Sequence, residues 1–127
     1  MGISGVIAGL RKNPAGRASY DSLIEKRYME MLEEDPTVRT WTKEHGIKIR
    51  YPFFFVRKTY RPDFLVTLKD GSKEIHETKG DGLMYWLTTH AKREAAEQWC
   101  KEHGCIYRLV TPAKEWFYAS PTERERR

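Results

Sequence analysis

No hydrophobic run in this chain approaches the roughly 18 residues that a membrane span requires, so no membrane-embedded role is expected. The Ile3–Leu10 segment is too short for a secretory signal and lacks its basic flank. Val6 stands where a myristoylation signal beginning at Gly2 needs Ser or Thr. Cysteine is scarce: Cys100 and Cys105 make no disulfide framework, which points to a reducing, cytoplasmic setting. With His103 between them they suggest zinc, but no fourth ligand follows at a suitable spacing, and His103-Gly104 reads better as a helix end. There is no internal repeat and no low-complexity segment. His45 and His90 have no evident acid partner, and no Ser-His-Asp pattern stands out to support nucleophile–base catalysis.

Acid is also scarce over one long stretch. Between positions 36 and 61, Arg39, Lys43, Lys48, Arg50, Arg57, Lys58 and Arg61 face Glu44 alone, and residues 1 to 20 add Arg11, Lys12 and Arg17 with no acid. The formal net charge is +5, but its clustering carries more meaning than its size. Phosphate contacts account for such a face, since counterion release drives sequence-independent nucleic-acid binding. The absence of a base-reading motif points to recognition of backbone or DNA shape rather than a fixed short target.

At 127 residues, with 39% apolar and 13% aromatic content, the chain is long enough for one core and one domain. Residues 1–18 are Gly-rich, basic and weakly patterned, and read as a flexible arm. The domain proper is expected over residues 19–120, with a charged tail at 121–127. Asp21 or Ser22 should cap a helix running to about Glu34, with Leu23, Met31 and Leu32 in the core and Asp35-Pro36 as its stop. Glu25 shares a helical face with Tyr28, Met29 and Leu32, an unusual place for an acid without a partner. A first strand is expected around Ile47 to Val56, where the run Phe53-Phe54-Phe55 reads as buried on both faces. Strands holding Asp63 and Glu77 follow, joined at the Asp70-Gly71-Ser72 turn. A helix from about Thr88 to His103, a strand from Cys105 to Val110 and a short last helix opening at Thr111-Pro112 and docked by Trp116 and Phe117 complete the order. The strand–helix–strand piece needs a crossover, so the sheet should be mixed.

The chemistry concentrates on two neighbouring strands, Tyr60-Arg61-Pro62-Asp63-Phe64-Leu65-Val66 and Glu74-Ile75-His76-Glu77-Thr78-Lys79-Gly80. Strand periodicity puts Glu77 and Lys79 on one face and His76 and Thr78 on the other. If Asp63 joins the first face, two carboxylates and an ammonium converge. Carboxylate oxygens suit a hard divalent cation, and such a cluster suits attack on a phosphodiester. Alternating acid and lysine on a strand is more often a solvated face. Here the Pro-Asp step, the apolar run and the hairpin turn give the pattern its specificity.

Pro62-Asp63 followed by Glu77-Thr78-Lys79 resembles the PD-(D/E)xK nucleases. The stretch from Ser22 to Pro36, together with Val38, Trp41, Ile49-Arg50-Tyr51 and residues 60–66, is similar to TnsA-type transposon endonucleases. It also resembles phage endonucleases that resolve branched DNA. The likeness covers roughly residues 19 to 110, and His45-Gly46 stands where a TnsA-type domain would have Gln-Pro. The resemblance implies an α/β fold with a restriction-endonuclease-like αβββαβ core, its mixed central sheet flanked by helices. It also implies a metal-dependent DNA endonuclease leaving a 5′-phosphate and a 3′-hydroxyl. Mg²⁺, with Mn²⁺ as a substitute, would be held by Asp63, Glu77, the carbonyl of Thr78 and, directly or through water, Glu25. Lys79 would orient the attacking water or offset developing charge. Arg50, Arg57, Lys58, Arg61, Lys92 and Arg93 are the candidate DNA contacts. Alternatives of the same origin are a dimeric junction resolvase and a non-catalytic DNA-binding subunit. TnsA-like proteins usually carry a further C-terminal partner-binding domain that this chain ends too early to hold, so the resemblance implies either a stand-alone module or reliance on another protein, such as a transposase or recombination partner, for targeting.

Overall fold

The computed structural model describes residues 4–78, 86–111 and 117–118. Ser22 opens α1 (Leu23–Glu34): its hydroxyl accepts from the Glu25 amide, satisfying one of the otherwise orphaned donors of the first turn. Asp35, in extended conformation before Pro36, ends it. The buried stripe of α1 is Tyr28, Met29 and Leu32, while Leu23 and Met31 are exposed. The core face is therefore the one that carries Glu25, rotated away from the Leu23–Met31 face expected from hydrophobicity alone.

The central sheet has the order β3-β6-β7-β8-β9, formed by β3 (Val38–Thr42), β6 (Phe64–Leu68), β7 (Lys73–Thr78), β8 (Ile106–Thr111) and β9 (Phe117–Tyr118). The pairs β3–β6, β6–β7 and β8–β9 are antiparallel, and β7–β8 is parallel across α2 (Trp86–His103). This is the expected mixed sheet with helices against it. Gly71, at a φ of 92°, takes the left-handed conformation in the β6–β7 turn that other residues resist.

The two faces carry separate cores. Against α1 pack Val38, Trp41, Phe64, Val66 and Val110 with Tyr28, Met29 and Leu32. Against α2 pack Ile49, Ile75 and Tyr107 with Ala96 and Cys100. Burying each large apolar side chain contributes about 1.5–3 kcal/mol. Trp41, fully buried and edge-on to Phe64, is among the positions where truncation should cost most, about 3–5 kcal/mol.

Three segments depart from the sequence reading. The expected first sheet strand, Ile47 to Val56, lies outside the central sheet. It forms β4 (Ile49–Phe53) and the start of β5 (Val56–Tyr60), a separate antiparallel hairpin resting on α2 through Ile49 and Tyr51. The edge of the sheet is β3 instead, where a register shift between Val38 and Thr40 breaks strict alternation and lets both Val38 and Trp41 face inward. The expected arm is a hairpin of β1 (Gly5–Ala8) and β2 (Arg17–Tyr20). Ile7, Leu10, Ala18 and Tyr20 pack on the α1 core, and the Glu33 carboxylate accepts from the amides of Arg11 and Lys12 and from Trp41 Nε1. Two of its glycines take left-handed positions, Gly9 at φ 71° and Gly16 at φ 75°. Phe117 lies in β9 rather than in a last helix; Pro112 and Trp116 fall outside the described residues, as do 121–127.

Candidate active site

The β6–β7 register pairs Phe64 with His76. One step back along β6, Asp63 therefore stands opposite Glu77, as the hairpin reading required. Asp63 is fixed by Thr78, whose amide (2.9 Å) and hydroxyl (3.0 Å) both donate to Asp63 Oδ2. Glu77 accepts from the Tyr107 hydroxyl at 3.1 Å and interacts with Tyr60. These groups line a cleft of about 230 Å³ formed by Tyr60, Arg61, Asp63, Glu77, Thr78, Lys92, Tyr107 and Leu109.

The loop before Asp63 is braced from outside the cleft. Arg61 donates to the Lys43 carbonyl at 3.0 Å. His45 spans the same loop, with Nε2 2.8 Å from the Pro62 carbonyl oxygen and Nδ1 accepting from the Ile47 amide. The histidine that looked isolated in sequence thus holds the residue preceding Asp63. Burial keeps its pKa below the usual imidazole range, in keeping with a neutral ring that donates through one nitrogen and accepts through the other.

Electrostatically the site is strained in one direction. Burial raises the Asp63 pKa, and the charge of Glu25 adds to the rise against the opposing Thr78 bonds. Burial, then the neighbouring Asp63 charge, pushes Glu77 up to about 7. Two desolvated carboxylates side by side disfavour joint ionisation. Tyr60 and Tyr107 are raised as well, first by burial and then by the charge of Glu77, so both phenols remain protonated donors. A cation in the cleft would reverse this balance.

Glu25 stands apart from the pair. It accepts from the Asp21 amide and from Lys43 Nζ, each at 3.0 Å, as the reciprocal half of a helix-cap arrangement. Its charge is felt at Asp63, but it does not line the cleft. Among the described residues no group of three His, Cys, Asp or Glu side chains converges on one point. Lys92 lines the cleft with its ammonium over the rings of Tyr60 (5.1 Å) and Tyr51 (5.7 Å). Arg93 instead lies 3.4 Å from Glu97 along α2. Arg50, Arg57 and Lys58 are exposed on the β4–β5 hairpin, away from the cleft. Lys79 lies outside the described residues. The sequence reading missed Tyr60 and Tyr107. The available signal was the matched alternation of β7 and β8, which sets Tyr107 beside Ile75 on the Glu77 face.

With that geometry in place, comparison with known families is informative. The profile described as TnsA-like endonuclease N terminal matches residues 24–112. The chain belongs to this family. The match spans α1 through β8 and so includes both carboxylates and every element that lines their cleft. A TnsA-like domain supports a nuclease-type function in general, within the PD-(D/E)xK superfamily. A search of curated proteins finds no match. Among the described residues of this TnsA-like domain no helix is long and apolar enough to cross a membrane.

Proposed function

We propose that this TnsA-like domain is a divalent-metal-dependent DNA endonuclease with little sequence preference of its own. The observation that carries the reading is the Asp63–Glu77 pair: two half-buried carboxylates on adjacent strands, Asp63 held by Thr78 and Glu77 by Tyr107 and Tyr60, each with a raised pKa. A fold gains no stability from such crowding, whereas a cation site does gain from it. The donor set is all oxygen and small, which suits Mg²⁺, an ion that commonly keeps several waters and takes only one or two carboxylates. Asp63, Glu77 and the Thr78 carbonyl would hold it, with Mn²⁺ as a substitute. When bound, the metal would supply an acidified water and charge neutralisation at phosphorus.

The chain's own groups do the positioning. Thr78 fixes one Asp63 oxygen, leaving the other for the cation. Tyr107 and Tyr60 orient Glu77. Arg61 and Lys92 offer positive charge to the scissile phosphate across the cleft, and Lys79, next after Thr78 in sequence, would offset developing charge as the resemblance implies. In the reaction, water oxygen bonds to phosphorus as the bond to the 3′ oxygen breaks. The attacking water gives up its proton to solvent and the departing 3′ oxygen takes one up from solvent, giving a 5′-phosphate and a 3′-hydroxyl. A transposase or recombination partner would provide targeting.

Cleavage of supercoiled plasmid and of a four-way junction by wild type and Asp63→Asn, in Mg²⁺, Mn²⁺ or EDTA, tests the proposal. Metal-dependent nicking that disappears in the variant is the expected result. Equal activity of the two proteins, or activity in EDTA, would overturn it. Junction preference from a dimeric species would redirect the assignment to a resolvase, and salt-sensitive binding with no cutting to a DNA-binding subunit.

A further inference from the structure

The β4–β5 hairpin spends exposed aromatic surface where the fold has no use for it. Phe53 pairs with Val56, leaving Phe54 and Phe55 as a two-residue turn. Such turns favour Gly or Asn, because their backbone enters the left-handed region. Phe54 sits there at a φ of 59°, the one non-glycine residue with a positive φ among those described. Its side chain is 76% exposed and that of Phe55 is fully exposed, with Val56 at 55%. The reading of these phenylalanines as core was wrong because only the base of the hairpin, through Ile49, Tyr51 and Tyr60, reaches α2.

The tip is surrounded by one sign of charge. Between Glu44 and Asp63 the sequence has no acid. Arg50 and Arg57 share the face turned away from Tyr51, as the pairing of Arg50 with Thr59 and of Pro52 with Arg57 requires, and both are exposed. Lys58 lies on the other face with its ammonium 5.3 Å from the centre of the Phe53 ring. Strand β5 then runs directly into the cleft, where Tyr60 and Arg61 form part of the wall. At a rise of about 3.3 Å per residue, Phe55 at the tip stands about 17 Å beyond Tyr60, close to five base-pair steps of a duplex.

We propose that the β4–β5 hairpin is a DNA-engaging ribbon in which Arg50, Arg57 and Lys58 grip the phosphate backbone and the Phe54–Phe55 tip wedges against unstacked bases near the cleavage site. The idea deepens the nuclease reading and rests on it for the choice of DNA as occupant. Apolar side chains inserted at a base step, flanked by cations, are a known means of kinking a duplex, and an aromatic ring stacks on any base without regard to sequence. A stable protein partner normally needs about 800 Å² on each side; a turn of two aromatic residues ringed by arginine and lysine offers far less apolar area and selects a polyanion. Unstacking would also give a nuclease without base-reading groups a preference for DNA that is already distorted.

The test compares wild type, Phe55→Ala and Phe54→Ala/Phe55→Ala on a fully paired duplex and on the same duplex with a central two-nucleotide bulge. Binding is measured in EDTA, with 2-aminopurine beside the bulge position as a reporter of unstacking. Because both rings are exposed, the variants should unfold at the wild-type temperature or above it. Wild type should bind the bulged duplex more tightly by about fivefold or more and should raise 2-aminopurine emission on the paired one. The double variant should lose both effects, and Phe55→Ala should lose part of each. Unchanged discrimination and emission in the double variant would overturn the wedge. So would binding to anionic phosphatidylserine vesicles, but not to DNA, that depends on the two phenylalanines. Plasmid cleavage in Mg²⁺ is followed in parallel. Wild type that cuts without Phe-dependent discrimination refutes the wedge alone, whereas Phe-dependent discrimination without cutting refutes the nuclease reading and leaves the wedge standing.

Discussion

Glu74 and Glu77 lie three residues apart on β7, on opposite faces of the sheet, and burial acts on both in the same sense. What differs is the company. Glu74, on the α1 side, receives the Arg108 guanidinium through two bonds of 2.7 and 3.0 Å and lies 2.8 Å from His76 Nε2. Those partners outweigh the burial cost and hold its carboxyl well below the usual range. His76 is kept below its own usual range by burial, so it serves as a neutral ring that donates to Glu74 and accepts from the Tyr28 hydroxyl at 2.5 Å. Glu77, on the α2 side, has neutral phenols and a second carboxylate as neighbours, and rises to about 7. One strand thus carries an acid whose charge is satisfied by the fold and an acid whose charge the fold leaves wanting. On the proposed reading, the second is the one that does the chemistry.

The contrast can be broken from either side. The largest effect is expected from Glu77→Gln or Asp63→Asn: plasmid cleavage should fall by about a thousandfold, equivalent to about 4 kcal/mol of transition-state stabilisation, with the thermal midpoint unchanged or raised. At Glu74 the signature should invert. Arg108→Ala leaves a buried carboxylate uncompensated and should cost about 3–5 kcal/mol in a urea melt, and any loss of cleavage should follow the loss of folded protein.

The pH dependence of stability sharpens the comparison. Glu77 binds its proton more tightly when folded than when unfolded. Its contribution is fully present below its ordinary value of 4.5 and is lost as pH rises through about 7. Glu74 works in the opposite sense, its contribution being present above 4.5 and lost as pH falls below that value. His76 adds to the acid-side loss, its contribution being present above 6.5 and lost below. In EDTA, stability should therefore decline by on the order of 2 kcal/mol from the Glu77 side between about pH 5 and pH 7.5. Glu77→Gln should remove that slope, and millimolar Mg²⁺ should cancel it by favouring the ionised pair. A smaller effect is expected from Thr78→Val. Losing one of the two donors to Asp63 should cost about 1 kcal/mol and weaken Mg²⁺ binding by about tenfold, measured by calorimetry.

The carboxylate pair was legible in sequence because every step to it is local: a Gly turn, two alternating strands, and a register that follows from the turn. A helix cap at Asp21 or Ser22 (Ser22 in the structure), Asp35 as helix stop, the parallel crossover and the left-handed Gly104 that ends α2 were legible for the same reason. Three features were hidden because a local cue had two meanings. Three consecutive phenylalanines satisfy a buried-strand pattern, and no turn residue marks the tip at Phe54. The glycines of the first 20 residues suit a loose arm as well as a tight hairpin, and only the long-range bonds to Glu33 decide. Leu23 is more hydrophobic than Tyr28, yet Tyr28 is buried because His76, 48 positions later, gives its hydroxyl a partner. The roles of Tyr107, His45 and Tyr60 depend on contacts across 30, 17 and 32 positions, to Glu77, Pro62 and Lys92.

That ordering of contacts along the chain has a kinetic side. The Asp63–Thr78 bonds close a span of 15 residues, the Tyr107–Glu77 bond a span of 30 and the Tyr28–His76 bond a span of 48. Short spans close first, because chain entropy opposes long ones more strongly. The two carboxylates therefore meet while water still screens them, and their repulsion grows only as Tyr107 and α2 seal the cleft. Relief of that repulsion should act after the folding barrier. In a chevron, Glu77→Gln should lower the unfolding limb while leaving the refolding limb in place, making the inactive domain the longer-lived one.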